Sequence, residues 1–157
     1  MSKVNVKIRI ADVTDIAFSY RRPPGALPEG ITTSNYGSNI KTHIEVNEPN
    51  QQVLIRMLIT LSPRPEYEAE YEDAAQLPNF QYEGIIAFAV TGLNELIQSN
   101  EEGIGLPVAL AEKLMADAFS TFRGIITSKC AGTPLQHVYV PLLNAKQLDA
   151  LLEQSAK

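Results

Sequence analysis

The side chains best suited to chemistry are few in this chain, and they stand far apart. His43 and His137 are its two histidines, and neither belongs to an HxxxH, HExxH or Cys-His spacing that would gather metal ligands or activate a nucleophile. His43 falls on the polar side of an alternating stretch and His137 follows a helix stop, so both read as structural or solvated residues. Cys130 is the single cysteine, which excludes an internal disulfide and any CxxC redox or metal motif. It closes an apolar helical stripe, where a packing thiol is expected rather than a reactive one. Glu66, Glu68, Glu70, Glu72 and Asp73 could offer acid and base, but they are crowded into a mobile, proline-bounded segment without a fixed separation. No G-x-G-x-x-G, P-loop or G-x-S-x-G occurs, and the glycines of GIGLP serve the turn before a helix. The expected chemistry is therefore binding rather than catalysis, with no catalytic residue, metal or cofactor.

Composition narrows the classes further. The 157 residues, 45% hydrophobic and 20% charged, suit one globular domain spanning 1–157 with a real core. A net charge of -5 without a basic run argues against nucleic acid, because binding there rests on Lys and Arg neutralising phosphates. Nowhere do about 18 apolar residues run together, so no membrane insertion is expected. The residues after Met1, SKVNVKIRI, lack the unbroken apolar stretch of a signal peptide, and the cytoplasm is the expected compartment.

Any binding residues must be positioned by strands at first. Val4, Val6, Ile8 and Ile10 alternate with Asn5, Lys7 and Arg9, the period of a half-buried strand reaching about Val13; DIAFSY could extend it past a kink. RRPPGALPEG is a loop. Asn39 to Val46 and Gln51 to Ser62 form a hairpin turned at Asn47 to Asn50. In the second of these strands Val53, Ile55, Met57, Ile59 and Leu61 share one face, while Leu54 and Leu58 add apolar bulk to the other. SPRPEYEAEYEDAAQLP is a long crossover, read as a solvated edge, that leads to a fourth strand over Phe80 to Val90.

Helices follow. Leu93 to Ile104 reads as a connector with a helical turn, and Pro107 suits the first turn of a long helix. Leu114, Met115, Ala118, Phe119, Phe122, Ile125, Ile126 and Cys130 make its apolar stripe, Gly132 and Pro134 stop it, and its length is about 36 Å. After the apolar run VYVPLL, Asn144 sits at the N-cap position of a short last helix striped by Leu148, Leu151 and Leu152. The fold class is α+β: a four-stranded antiparallel sheet with the long and the short helix segregated to one face. The polar side of the long helix is unusual, because Ala116, Ser120, Gly124 and Thr127 recur where Glu or Lys would be usual. Small residues allow close backbone approach, so Ala116, Ser120 and Gly124 are expected where the helix meets its copy in another subunit or a facing sheet.

The order of elements and several strings resemble the SecB family of bacterial export chaperones. LPVALAEKLMADAFSTFRGIITSKCAGTPLQHVYVPLLNAKQLDALL is similar to the family's proline-started helix, helix stop, short apolar stretch and final helix. VTDIAFSYRRPPG resembles the K-D-I-S-F-E-x-P string, and NFQYEGIIAFAV the glycine-bearing fourth strand. The resemblance spans nearly the whole chain through order and spacing rather than one signature.

It implies a cytoplasmic, homotetrameric (dimer of dimers), ATP-independent holdase that binds unfolded polypeptides, in protein export through the SecA motor or with a dedicated client such as an antitoxin. Client contacts are expected from Leu54, Leu58, Tyr67, Tyr71, Val140, Leu142, Leu143, Leu148 and Leu152, and Asp15 is the candidate SecA contact. Ser19 and Asn79 replace acids of the family pattern, and the chain is expected to lack the basic, zinc-directed tail of some members, which points away from SecA. The alternative is a small-molecule-binding α+β module without catalysis, recognisable by an enclosed apolar cavity.

Overall fold

Period-two alternation builds the centre of the molecule. The computed structural model describes residues 5–25, 28–100 and 103–155; expectations touching Val4, Ala26, Leu27, Glu101, Glu102 and Ala156 lie outside the described residues. Strands β1 (Ile8–Arg21), β2 (Tyr36–Asn47), β3 (Gln52–Pro63) and β4 (Asn79–Val90) form one antiparallel sheet in the order β1-β4-β3-β2. A short helix α1 (Pro65–Glu68) lies in the crossover, and α2 (Leu93–Leu96) is the expected helical turn of the connector. It leads into a small hairpin, β5 (Gln98–Asn100) with β6 (Gly103–Gly105), that was not foreseen because three-residue strands leave no period to read. Helices α3 (Val108–Cys130) and α4 (Ala145–Ser155) complete the α+β architecture expected from the sequence.

One cross-sheet row organises the packing: Asp15 on β1, Gly84 on β4, Met57 on β3 and Thr42 on β2 stand opposite one another in register. Directly opposed residues share a face. A Cβ at Gly84 would come within 2.8 Å of Phe122 on α3, and Thr42 Oγ1 donates to the Leu151 carbonyl of α4 at 3.0 Å, so both helices cover this face. The five alternating residues of β3, Val53 to Leu61, are fully buried here, as are Tyr82, Leu114, Met115, Ala118 and Phe122. Gly132, at φ +74, follows the helix stop in the left-handed region that glycine enters freely. Asn144 and Gln147 then exchange backbone-to-side-chain hydrogen bonds of 2.9 Å each, a capping box that starts α4.

The first strand departs from simple alternation. It does run on through DIAFSY, but only by way of register shifts between Ile10 and Asp12 and between Asp15 and Ala17. Each shift inserts one residue, and side chains on the helix side therefore run Ile8, Ile10, Val13, Asp15, Phe18 and Tyr20. The surplus apolar surface expected on the third strand is largest instead on this one. Ile10 (47%), Val13 (38%) and Phe18 (49%) stay exposed because β1 is an edge strand that α3, resting on β3 and β4, does not cover.

Candidate functional site

Two apolar regions emerge, and different elements build them. The first lies between β1 and α3. Ala116, Ser120, Gly124 and Thr127 are all exposed along α3, and a Cβ added to Gly124 would meet nothing within 4 Å. Solvent-open grooves run along this side, one lined by Ile10, Phe88, Asp117 and Ser120, the other by Asp15, Gly124, Ile125 and Lys129. Neither is an enclosed cavity of the kind a small-molecule module would offer.

Asp15 is committed within this region. Its Oδ1 accepts a hydrogen bond of 2.5 Å from the Tyr82 hydroxyl, and its Oδ2 lies 3.1 Å from Lys129 Nζ. The hydrogen bond from Tyr82, then that from Lys129, holds the carboxyl below its usual range. Burial, reinforced by the same hydrogen bond, raises the Tyr82 phenol above its ordinary value.

The second region gathers around the segment before α4. From Val138 to Leu143 the chain is in neither helix nor strand, and as far as Val140 its side chains alternate between buried and exposed. Val138 and Val140 are buried at 2% and 3% exposure, so Val140 belongs to the core and the outward surface is made by Tyr139 (48%) and Leu142 (74%). Arg123 of α3 fastens the segment by donating to the Val140 carbonyl at 2.8 Å. Thr33 Oγ1 accepts from the Tyr139 amide at 3.0 Å, and two residues on, the Asn35 carbonyl accepts from the Arg64 amide at 2.8 Å. The tyrosine pair of the crossover begins just beyond.

That pair corrects the reading of the crossover as a solvated edge. Glu66, Glu68, Glu70, Glu72 and Asp73 are exposed, but Tyr67 and Tyr71 are half-buried, with hydroxyls 3.0 Å apart and rings in edge contact at 5.3 Å. Tyr67 also packs 6.1 Å from the buried Tyr36 ring, whose hydroxyl donates to the Pro78 carbonyl at 2.8 Å. Burial pushes the Tyr36 and Tyr67 phenols upward. The crossover is therefore pinned at both ends by aromatic side chains.

The remaining expected contacts lie in two further places. Leu143, Leu148 and Leu152 are half-buried and pack against the core from the α4 side. Leu54 and Leu58 are half-buried on the opposite face of the sheet, opposite Ala87 and Glu83 of β4, because they alternate with the buried residues of β3. The Arg56–Glu83 ion pair, 2.6 Å, shares that outer face. Sequence reading missed Tyr139 and the exposed row of β1; the tyrosine alternates with two valines, a signal that was present, whereas the row depends on sheet order.

His43 and His137 are both exposed, and among the described residues no three His, Cys, Asp or Glu side chains gather as metal ligands. Cys130 is buried, and burial pushes its thiol up to about 11, so the thiolate needed for nucleophilic chemistry is scarce near neutrality. No helix among the described residues is long and apolar enough to cross a membrane.

No protein-family model and no curated protein matches the chain. Among solved structures, it is similar to the Mycobacterium tuberculosis Rv1957 SecB-like chaperone, solved in complex with a ChAD peptide from the Rv1956 HigA1 antitoxin. The likeness has 12% sequence identity and a TM-score of 0.49, covering 87% of this chain and 88% of that chain. The resemblance read from the sequence is to the same family as this solved neighbour.

Proposed function

We propose that the protein is an ATP-independent holdase that keeps unfolded polypeptides soluble on the apolar surface around Tyr139 and Leu142. The observation that carries this reading is the segment Val138–Leu143, in neither helix nor strand, which presents Tyr139 and Leu142 to solvent while its neighbours anchor it to the core. Apolar burial is non-directional, at about 25 cal/mol per Å², so such a surface can hold many sequences without matched hydrogen bonds. Aromatic side chains add contact area at little entropic cost, which brings in Tyr67 and Tyr71 of the crossover. Leu143, next to the exposed Leu142, and Leu148 and Leu152 of α4 extend the proposed surface with half-buried apolar side chains. The small-residue stripe of α3, Ala116, Ser120 and Gly124, serves subunit contact in a homotetramer.

The test is suppression of aggregation. Equimolar protein should keep several chemically unfolded proteins soluble without ATP, and Leu142→Asp combined with Tyr139→Asp should remove that activity. Both side chains are exposed, so the unfolding free energy should stay within about 1 kcal/mol of wild type for the pair. A wild type that suppresses no aggregation sinks the reading.

Within that function, export through SecA is the weaker branch and a dedicated client the stronger. Asp15 already holds Tyr82 and Lys129, and Ser19 and Asn79 offer no charge to a basic docking surface. Charge complementarity sets encounter and register, so titration of the cognate SecA by calorimetry should give no submicromolar binding. Submicromolar binding abolished by Asp15→Lys would reverse the order of the two branches.

A further inference from the structure

Helix α3 touches the edge strand through a single polar cluster. Lys129, in its last turn, places Nζ 3.1 Å from Asp15 Oδ2 and also over two aromatic rings, 5.2 Å from the Phe18 centroid and 5.6 Å from that of Tyr82. Tyr82 donates to the other oxygen of the same carboxylate. Gly84 makes this arrangement possible: it stands opposite Asp15 in register, and a Cβ there would fall 2.5 Å from Tyr82 Oη. Among the described residues, no other ion pair or side-chain hydrogen bond joins α3 to β1. The strand is otherwise held by its ladder to β4 and, toward its ends, by Ile8 and Tyr20 on the core and by Arg21 donating to the Leu77 carbonyl, while its helix-side residues Ile10, Val13 and Phe18 are largely open.

We propose that Asp15, Tyr82 and Lys129 form a latch that ties the last turns of α3 to β1 and opens without unfolding of the core. The strength of its parts suits that use. The Lys129 and Asp15 side chains are 27% and 55% exposed, and ion pairs at such positions are individually weak and screened by salt. A cation over an exposed ring adds an interaction of similar size. Opening separates Lys129 from Phe18 and from the face of Tyr82, and widens the groove between strand and helix. Buried apolar packing of α3 on β3 and β4 is untouched by that motion, which makes it a local rather than a global opening.

Amide hydrogen exchange on the full chain tests the latch. Lys129→Met keeps an apolar stem but removes the ammonium, and should raise exchange across Asp12–Phe18 and the last turn of α3 by about three- to tenfold, with β3 unchanged. Lys129→Arg should restore the wild-type rate. In about 1 M salt, where the screening length falls to about 3 Å, wild type should rise to meet the Met variant. An unchanged rate in Lys129→Met, a rise that extends into β3, or a difference that persists in high salt overturns the proposal. If Lys129→Met fails to fold, Asp15→Asn gives the same readout from the other side of the pair.

Discussion

Phe122→Ala is expected to cost about 3–5 kcal/mol and Gly84→Ala about 1–3 kcal/mol, yet the double variant should cost less than their sum. Phe122 is fully buried, its ring 5.8 Å from that of Tyr82, where α3 crosses the centre of the sheet. Its truncation leaves a cavity between helix and strand. A methyl at position 84 in the wild type would lie 2.8 Å from Phe122 Cε1 and 2.5 Å from Tyr82 Oη, so one of the two rings must yield. With Phe122 already reduced to alanine, half of that conflict is gone and the methyl fills part of the void. The conflict with Tyr82 remains, because Asp15 holds its hydroxyl in place. Denaturant unfolding of the four proteins measures the coupling, expected at about 0.5–3 kcal/mol. Strict additivity would mean that helix and strand do not meet at this point.

Gly124→Leu separates what the chain needs from what an assembly needs. A side chain at position 124 has open space around it in the single chain, and glycine inside a helix costs about 1 kcal/mol relative to alanine. The substitution should therefore leave the isolated chain as stable as before, or slightly more so. If Ala116, Ser120 and Gly124 meet a neighbouring subunit, the same leucine overpacks that contact by about 1–3 kcal/mol. A two-fold contact carries the change from both sides, and every 1.4 kcal/mol is about tenfold in the dissociation constant. Light scattering should then show a tetrameric wild type and a dissociated Leu variant that remains folded. A monomeric wild type, or a Leu variant that assembles unchanged, removes these residues from the interface.

The contrast between two strands shows what the sequence could tell. On β3 the run Val53, Ile55, Met57, Ile59 and Leu61 kept one period throughout, and all five are fully buried as that period required. On β1 the first inserted residue shifts the period, so Asp15 reaches the helix side although it is out of step with Ile8 and Ile10. Its pairing with Lys129, 114 residues away, follows from sheet order and helix placement, which local periodicity does not carry. The stop of α3 at Gly132 and the cap of α4 at Asn144 were legible because each rests on chemistry within a few residues. The division of VYVPLL was legible only in part: alternation separates Val140 from Tyr139, but tertiary contacts decide which of the two turns inward. The tyrosines of the crossover were misplaced for the same reason, since acidic neighbours indicate solvent while Tyr36, distant in sequence, supplies the burial.

The two outer strands of the sheet matter in a way that concerns growth rather than recognition. An open strand edge is a template on which another extended chain can add, and repeated addition is how cross-β deposits begin. Here β1 carries two inserted residues that break the regular spacing of its backbone groups. On the far side, the Gln154 side chain of α4 accepts a hydrogen bond of 2.9 Å from the backbone amide of Thr42, the place a neighbouring strand would otherwise take in the middle of β2. Both margins are thus interrupted near their midpoints, one by irregular backbone and the other by a borrowed amide. A protein with this sheet can stand in a concentrated population of extended chains without offering them a straight edge to seed upon.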